Sequence, residues 1–314
     1  MSENVPRLSI GLAVRNGKGW VENCIDSILG QDFEGLELVV SDNASDDGVT
    51  ETLANYARAD GRIRLNVNPS NIGIHQNMNR VLRLARGTFF RWISADDWLE
   101  PGYLSKCVKM LEDRTDAIGL TTGFTVYSPE GAARWEDYRG EFPSSGDAAQ
   151  RFERMLWFYH AGDAKYDPIY GMYRRSRLLE TRMLRRSEQA DWLICAELAL
   201  TGPIIHIPDR LANRTQKPRR GLDRVAFRRR LDPISSEELR TWPSRTYRDL
   251  RDIVLEAKLT EDQLRRCEMA LRRFWAKETI RAGRAQFSDS RLLLLRRLRG
   301  NQGRFLSSTP VSQD

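Results

Sequence analysis

Four times in the first hundred residues a short apolar run gives way to a polar turn and then to apolar positions at helical spacing. Leu8-Ser9-Ile10-Gly11-Leu12-Ala13-Val14 predicts a strand, and Trp20 to Leu29 a helix with Val21, Cys24, Ile25 and Ile28 on one side. Leu36 to Val40 is a second strand, followed by a helix through Leu53, Tyr56 and Ala57. Ile63 to Val67 is a third, followed by a helix carrying Met78, Val81, Leu82 and Leu84. The fourth, Phe89-Phe90-Arg91-Trp92-Ile93, leads through Ser94-Ala95 into Asp96-Asp97-Trp98, with a helix expected from Pro101, a favoured first helical position, to Leu111.

This alternation with short connections is the signature of a doubly wound, mostly parallel α/β sheet. Arg15-Asn16, Asp42-Asn43, Asn71 and Asp96-Asp97 each follow the carboxyl end of a strand, where open α/β sheets bind ligands. Any one polar loop is ordinary; four in phase are not. Adjacent carboxylates repel, and a fold that holds Asp96 beside Asp97 calls for a cation such as Mg²⁺ or Mn²⁺. With the next helix starting at Pro101, neither aspartate is its cap.

Beyond Leu111 the pattern changes. Gly119 to Tyr127 and Ile169 to Tyr173 predict strands, and the segment between them has no clean period. Asp191 precedes an apolar helix, Trp192 to Leu200, closed by Gly202 and Pro203, with short strands at Ile204 to Ile207 and Leu211 to Thr215. Helices are expected at Ser244 to Leu259, Thr260 to Arg284 and Ser288 to Leu298, the second opening on the capping box Thr260-Glu261-Asp262-Gln263. The division expected is residues 1–217 as one α/β domain and 218–314 as a basic helical C-terminal extension.

Composition narrows the class. The chain has 314 residues, 40% hydrophobic, and 50 Lys+Arg against 43 Asp+Glu, a net charge of +7 that favours anionic partners such as nucleotide phosphates. Cys24, Cys107, Cys195 and Cys267 are widely spaced inside expected helices and read as reduced packing residues. With no signal-like N-terminus and no run of 18 apolar residues, a cytoplasmic protein is expected. His75, His160 and His206 suggest no metal site, and Trp92 and Trp98 read as core.

Taken together, Val14-Arg15-Asn16, Ser41-Asp42-Asn43-Ala44-Ser45-Asp46, Asn71-Ile72-Gly73 with Asn79, Ser94-Ala95-Asp96-Asp97, Asp167-Pro168-Ile169-Tyr170-Gly171 and Ala190-Asp191-Trp192-Leu193 resemble, in order and spacing, the family 2 glycosyltransferases of the GT-A fold. The resemblance covers the first two-thirds of the chain. It implies a GT-A-like sheet with its nucleotide site at the strand C-termini, and metal-dependent, inverting transfer of a sugar from a UDP-, dTDP- or GDP-sugar to a hydroxyl of a glycan or lipid-linked acceptor. It further implies that Asp42 meets the base, that Asp96 meets the ribose or donor sugar, that Asp97 binds a Mn²⁺ or Mg²⁺ ion on the diphosphate, and that Arg15, Asn16, Asn71 and Asn79 complete the donor site. Asp191 is the implied catalytic base, with helix capping as its simpler role, and the acceptor is expected between Phe152 and Tyr173. Envelope or polysaccharide synthesis is the implied setting.

Two departures stand out. Ala13-Val14-Arg15-Asn16 replaces the family's Pro-x-Tyr-Asn, which puts the identity of the base in doubt, although an arginine plane can also stack on a base. Asn213-Arg214-Thr215-Gln216-Lys217 stands where an Arg-x-x-His is common, leaving Arg214 or Lys217 as the nearest cations. A sugar nucleotidyltransferase is the first competing class, but its Gly-rich, Arg-containing loop is only faintly imitated by Arg15-Asn16-Gly17-Lys18-Gly19. A basic nucleic-acid-binding protein using the Arg219 to Arg230 run is the second, and the run has no accompanying recognition motif. The leucines of Ser288 to Leu298, with Arg291, Arg296, Arg297 and Arg299, suit peripheral contact with an anionic membrane face, packing on neighbouring helices, or a homo-oligomer contact.

Overall fold

The computed structural model describes residues 5–128, 130–135, 138, 140–159, 168–187, 189–215 and 244–280. His160, Asp167, Lys217, the Arg219 to Arg230 run and Ser288 to Leu298 lie outside the described residues. The elements in order are β1 (Leu8–Val14), α1 (Val21–Leu29), β2 (Leu36–Asp42), α2 (Val49–Ala59), β3 (Ile63–Val67), α3 (Ile74–Leu84), β4 (Phe89–Ile93), β5 (Asp97–Leu99) and α4 (Tyr103–Asp113). They continue with β6 (Gly119–Tyr127), β7 (Ala133–Arg134), α5 (Ala148–Tyr159), a 3-10 turn (Pro168–Tyr170), β8 (Met172–Arg174), α6 (Arg175–Leu179), α7 (Ala190–Thr201), β9 (Ile204–Thr215) and α8 (Ser244–Glu256). A last helix, α9, covers residues 261–280.

The strands form one sheet in the order β3-β2-β1-β4-β8-β6-β9-β5, with β7 beside β6. β1 through β4 are parallel, as their alternation with helices requires, and β8 joins β4 antiparallel. Strands buried on both faces need two cores, and two are present. One joins Leu8, Ile10 and Leu12 to Ile25, Leu104 and Cys107; the other joins Phe90 and Trp92 to Val81, Phe152 and the apolar α7. All four cysteines are free and buried in these cores, as packing residues should be.

Several local expectations change. The helix after β4 starts at Tyr103, not Pro101. Glu100 N is still bonded to Leu211 O at 2.9 Å, so the chain stays extended past β5, and Gly102, at φ +79°, makes the turn into α4. The two strands expected between Ile204 and Thr215 are one, β9, which passes Pro208 through an irregularity in its pairing with β6 between Thr122 and Phe124. A Cβ on Gly123 would lie 2.8 Å from Pro208 O, so the bulge needs glycine there. Ile169 belongs to the 3-10 turn, and the strand begins at Met172. The segment without a clean period holds α5, whose Phe152, Met155 and Leu156 enter the second core.

The described C-terminal helices are not set apart from the rest. Leu250, Ile253, Val254, Cys267, Leu271 and Phe274 share the core of α5 and α7, and the Phe274 ring stacks on Trp192 at 5.1 Å. Arg182 pairs with Glu256, and Arg266 with Asp147 at 2.8 Å. Among the described residues no helix is long and apolar enough to cross a membrane.

Candidate functional site

The polar clusters do meet at the carboxyl ends of β1 to β4, in two hydrogen-bonded groups. The first joins the exits of β1, β2 and β3. Asp42 is fully buried; its Oδ1 accepts from Ser45 N at 3.1 Å and Ser45 Oγ at 2.5 Å, and its Oδ2 from Thr50 Oγ1 at 2.5 Å. Its carboxylate therefore folds the β2–α2 turn from within. Arg15 Nη1 donates to the carbonyls of Asn43 at 2.7 Å and Ala44 at 2.5 Å, and Arg15 faces Asp46 at 3.5 Å. Asn16, at φ +55°, receives Asp46 N on its Oδ1 at 3.0 Å, while its own N–H donates to Ser45 Oγ at 2.9 Å. Asn71 Oδ1 accepts from Asn43 Nδ2 at 2.7 Å and from Gly73 N at 2.9 Å.

Behind these lies a set of buried amides that the motif reading did not single out. Asn77 donates to Ser41 O at 2.9 Å and accepts from Ser41 Oγ at 2.7 Å and Asn68 Nδ2 at 2.9 Å; Asn68 also donates to Asn43 Oδ1 at 3.2 Å. A satisfied network of this kind fixes the three strand exits relative to each other. The available signal was an asparagine just past β3 and another on the first turn of the next helix.

The second group gathers at the exits of β4 and β9. Asp97 opens β5 opposite Arg214, and Arg214 Nε reaches its Oδ2 at 3.4 Å. Only 7% exposed, Asp97 has its pKa pushed up to about 6 by burial, against the pull of Arg214 and with a further push from the Asp96 charge. Asp96 is half-buried, accepts from Ser94 Oγ at 2.5 Å and takes Thr215 Oγ1 on its backbone carbonyl at 2.9 Å. Asp96 sits in the Ser94–Asp97 turn, closed by Asp97 N on Ser94 O at 3.1 Å, and is the more exposed of the two carboxylates. Asp97, expected to bind the metal, thus meets the Arg214 guanidinium.

Asn79 stands elsewhere. Its amide donates to Leu184 O at 2.8 Å and accepts Leu184 N at 3.0 Å, clasping the segment after α6. Asp191 is exposed on the first turn of α7, with Gln189 rather than Asp191 at the N-cap, and accepts from Trp192 N at 2.8 Å. Trp92 is core, its Nε1 donating to Met78 O at 2.9 Å, while Trp98 is half-buried against Tyr127. His206 stacks on Phe142 at 4.2 Å and bonds Thr121 at 2.9 Å, a packing role.

The donor set at the β4 exit suits a hard dication only in part. Among the described residues no group of three His, Cys, Asp or Glu could hold a metal. Mg²⁺ and Mn²⁺ are nonetheless commonly held by one or two carboxylates together with substrate phosphates and water.

A sequence profile described as "Glycosyl transferase family 2" matches residues 9–185, more than half of the chain. An uncharacterized glycosyltransferase of Haemophilus influenzae is 31% identical over 119 residues, 37% of each chain. The hyaluronan synthase of Pasteurella multocida is 29% identical over 154 residues, 47% of this chain and 16% of the synthase. The matches thus span about a third or less of these relatives' lengths. Two solved structures share the GT-A-like fold. S. aureus TarS 1-349 in complex with UDP has a TM-score of 0.63 at 15% identity, covering 86% of this chain and 70% of that one. Mannosyltransferase PcManGT from Pyrobaculum calidifontis, in complex with GDP-Man and Mn2+, has a TM-score of 0.52 at 17% identity, covering 92% and 81%.

Proposed function

This chain belongs to glycosyl transferase family 2, and on that premise we propose that it moves a sugar from a nucleoside diphosphate donor to an acceptor hydroxyl, with inversion, in the synthesis of an envelope or other polysaccharide. The observation that carries the reading is the half-buried Asp96 at the β4 exit, beside strand exits locked together by Asp42, Asn43, Asn68 and Asn77. The turns shaped by Arg15, Asn16, Asp42 and Asn71 receive the nucleoside. Asp42 acts there by holding its turn rather than by offering a free carboxylate, since both of its oxygens already accept hydrogen bonds.

Asp96, not Asp97, is the residue proposed to hold a Mn²⁺ or Mg²⁺ ion with the donor diphosphate. Such an ion, when bound, neutralises charge that develops on the leaving diphosphate. Asp97 and Arg214 keep Asp96 in position from behind. Asp191, exposed at the start of α7, takes the proton of the acceptor hydroxyl as it attacks the anomeric carbon from the side opposite the diphosphate. Burial is not needed for that task, because the carboxylate is used ionised.

Purified protein is to be melted with UDP-, dTDP- and GDP-sugars in Mn²⁺, and the products identified with a glycan acceptor. One donor class should raise the melting point, and one nucleoside diphosphate should be released per sugar transferred. Pyrophosphate release, or no response to any sugar nucleotide, would overturn the reading.

A further inference from the structure

Where β5, β9 and β6 lie side by side, the sheet carries aromatic rings on one face. Trp98 pairs across β5 and β9 with Asn213, which pairs across β9 and β6 with Thr125, so these three side chains share a face, and Tyr127 joins them two residues beyond Thr125. The Tyr127 ring lies 5.0 Å from that of Trp98. Two residues before Thr125, Gly123 pairs with Arg210, whose guanidinium lies 4.6 Å over the ring of Trp135. Trp135 follows directly on β7, where Ala133 stands opposite Tyr127. Trp135 is 52% exposed, and Trp98, expected in the core, is half-buried like Tyr127.

Among the described residues no group meets the indole N–H of Trp98 or of Trp135, or the hydroxyl of Tyr127. Asn213 in the same row is buried and bonded to Glu100 Oε1 at 2.5 Å, and the half-buried Thr125 adds a hydroxyl beside the rings. Flat ring faces interleaved with hydroxyl and N–H groups differ from the aliphatic groove that an amphipathic helix fills. They suit a pyranose, which carries C–H groups on its ring faces and hydroxyls round its edge. β5 and β7 stand three strand spacings apart, roughly 14 Å, which is more than one sugar covers. The face is continuous with the β4 exit, since Trp98 follows Asp97 and lies two residues from Asp96.

We propose that Trp98, Tyr127 and Trp135 form a platform for an acceptor that is a glycan chain, and that they hold sugars beyond the one that receives the transfer. The proposal rests on the glycosyltransferase reading above and adds a place and a minimum length for the acceptor, outside the Phe152 to Tyr173 stretch. The rings pack on the C–H faces of successive sugars, their N–H and O–H groups meet the hydroxyls, and Arg210 backs the Trp135 ring.

Calorimetry on the full chain compares cello-, chito- and manno-oligosaccharides of two and of six sugars. At least one series should bind, its six-sugar member about tenfold or more tighter than its two-sugar member. In Trp135→Ala that ratio should fall to about threefold or less, and Trp135→Phe, which keeps a ring, should retain most of it. If Trp135→Ala does not fold, Tyr127→Leu decides on the same ratio. No binding in any series, equal affinity for both lengths, or a length ratio that survives the loss of the ring would overturn the proposal. A dimer in sedimentation that Trp135→Ala dissociates would give the face to a second copy of the chain and overturn it too. Sugar-nucleotide binding is measured on the same protein: its absence would count against the glycosyltransferase reading, while the length ratio alone judges the platform.

Discussion

Arg214 sits directly across the β5–β9 ladder from Asp97, and its Nε reaches the Asp97 carboxylate at 3.4 Å although the two are 117 residues apart in sequence. The contact ties the last described strand to the short strand that follows Asp96. It does so at a site where the aspartate is buried and the arginine only partly so.

Removing the arginine strands a buried carboxylate, while neutralising the aspartate removes the charge that needed it. Arg214→Met should cost roughly 1–3 kcal/mol, Asp97→Asn less, and the double variant less than the sum. Urea denaturation of the four proteins checks this; strict additivity would mean that the pair is not coupled.

Glu37 offers a pH test away from the site. It is 3% exposed and accepts from Ser9 Oγ at 2.5 Å, Arg86 N at 2.6 Å and Arg64 Nη1 at 3.1 Å. Burial pushes its pKa up, but these hydrogen bonds outweigh it and hold the carboxyl below its usual range. A lowered folded pKa means stability that is present above the unfolded value and lost as pH falls through the folded one. Glu37→Gln should therefore lose less stability than wild type between about pH 5 and pH 3. Denaturant midpoints at both pH values decide it, and parallel losses would contradict it.

Asn79 separates a clasp from a ligand contact. Asn79→Ala leaves both Leu184 backbone groups unmet in a buried setting and should cost about 2 kcal/mol. Donor affinity, measured by calorimetry at a temperature where the variant is folded, should stay within about twofold. A selective loss of donor binding would return Asn79 to the site.

Asp191→Asn keeps the shape of the first turn of α7 but removes the base. Transfer should fall by a factor on the order of 10² or more with the donor dissociation constant nearly unchanged. Near-normal turnover in a steady-state assay would leave Asp191 with a helix-terminus role only.

The parallel half of the sheet was legible because each of its strands and helices carries its own period. The phase of the polar clusters was legible for the same reason: Arg15, Asp42, Asn71 and Asp96 each mark the point where a strand ends. What each side chain faces was not. Asn77 and Asn79 look equivalent in sequence, but residues two apart on a helix point about 200° apart, so one enters the amide network and the other turns to Leu184. Asp96 and Asp97 look interchangeable until β9 pairs with β5, a contact set by a strand more than a hundred residues downstream. Pro101 carried a true local preference, but the continued pairing of Glu100 with Leu211 delayed the helix to Tyr103.

The division of labour between the two aspartates is the centre of the account, and a titration of nucleoside diphosphate with and without Mn²⁺ tests it most directly. The account predicts that Asp96→Asn loses the Mn²⁺-dependent part of binding, by about tenfold or more, while Asp97→Asn keeps most of it. Metal-dependent binding that survives Asp96→Asn and disappears in folded Asp97→Asn would contradict the account and assign the ion to the inner carboxylate.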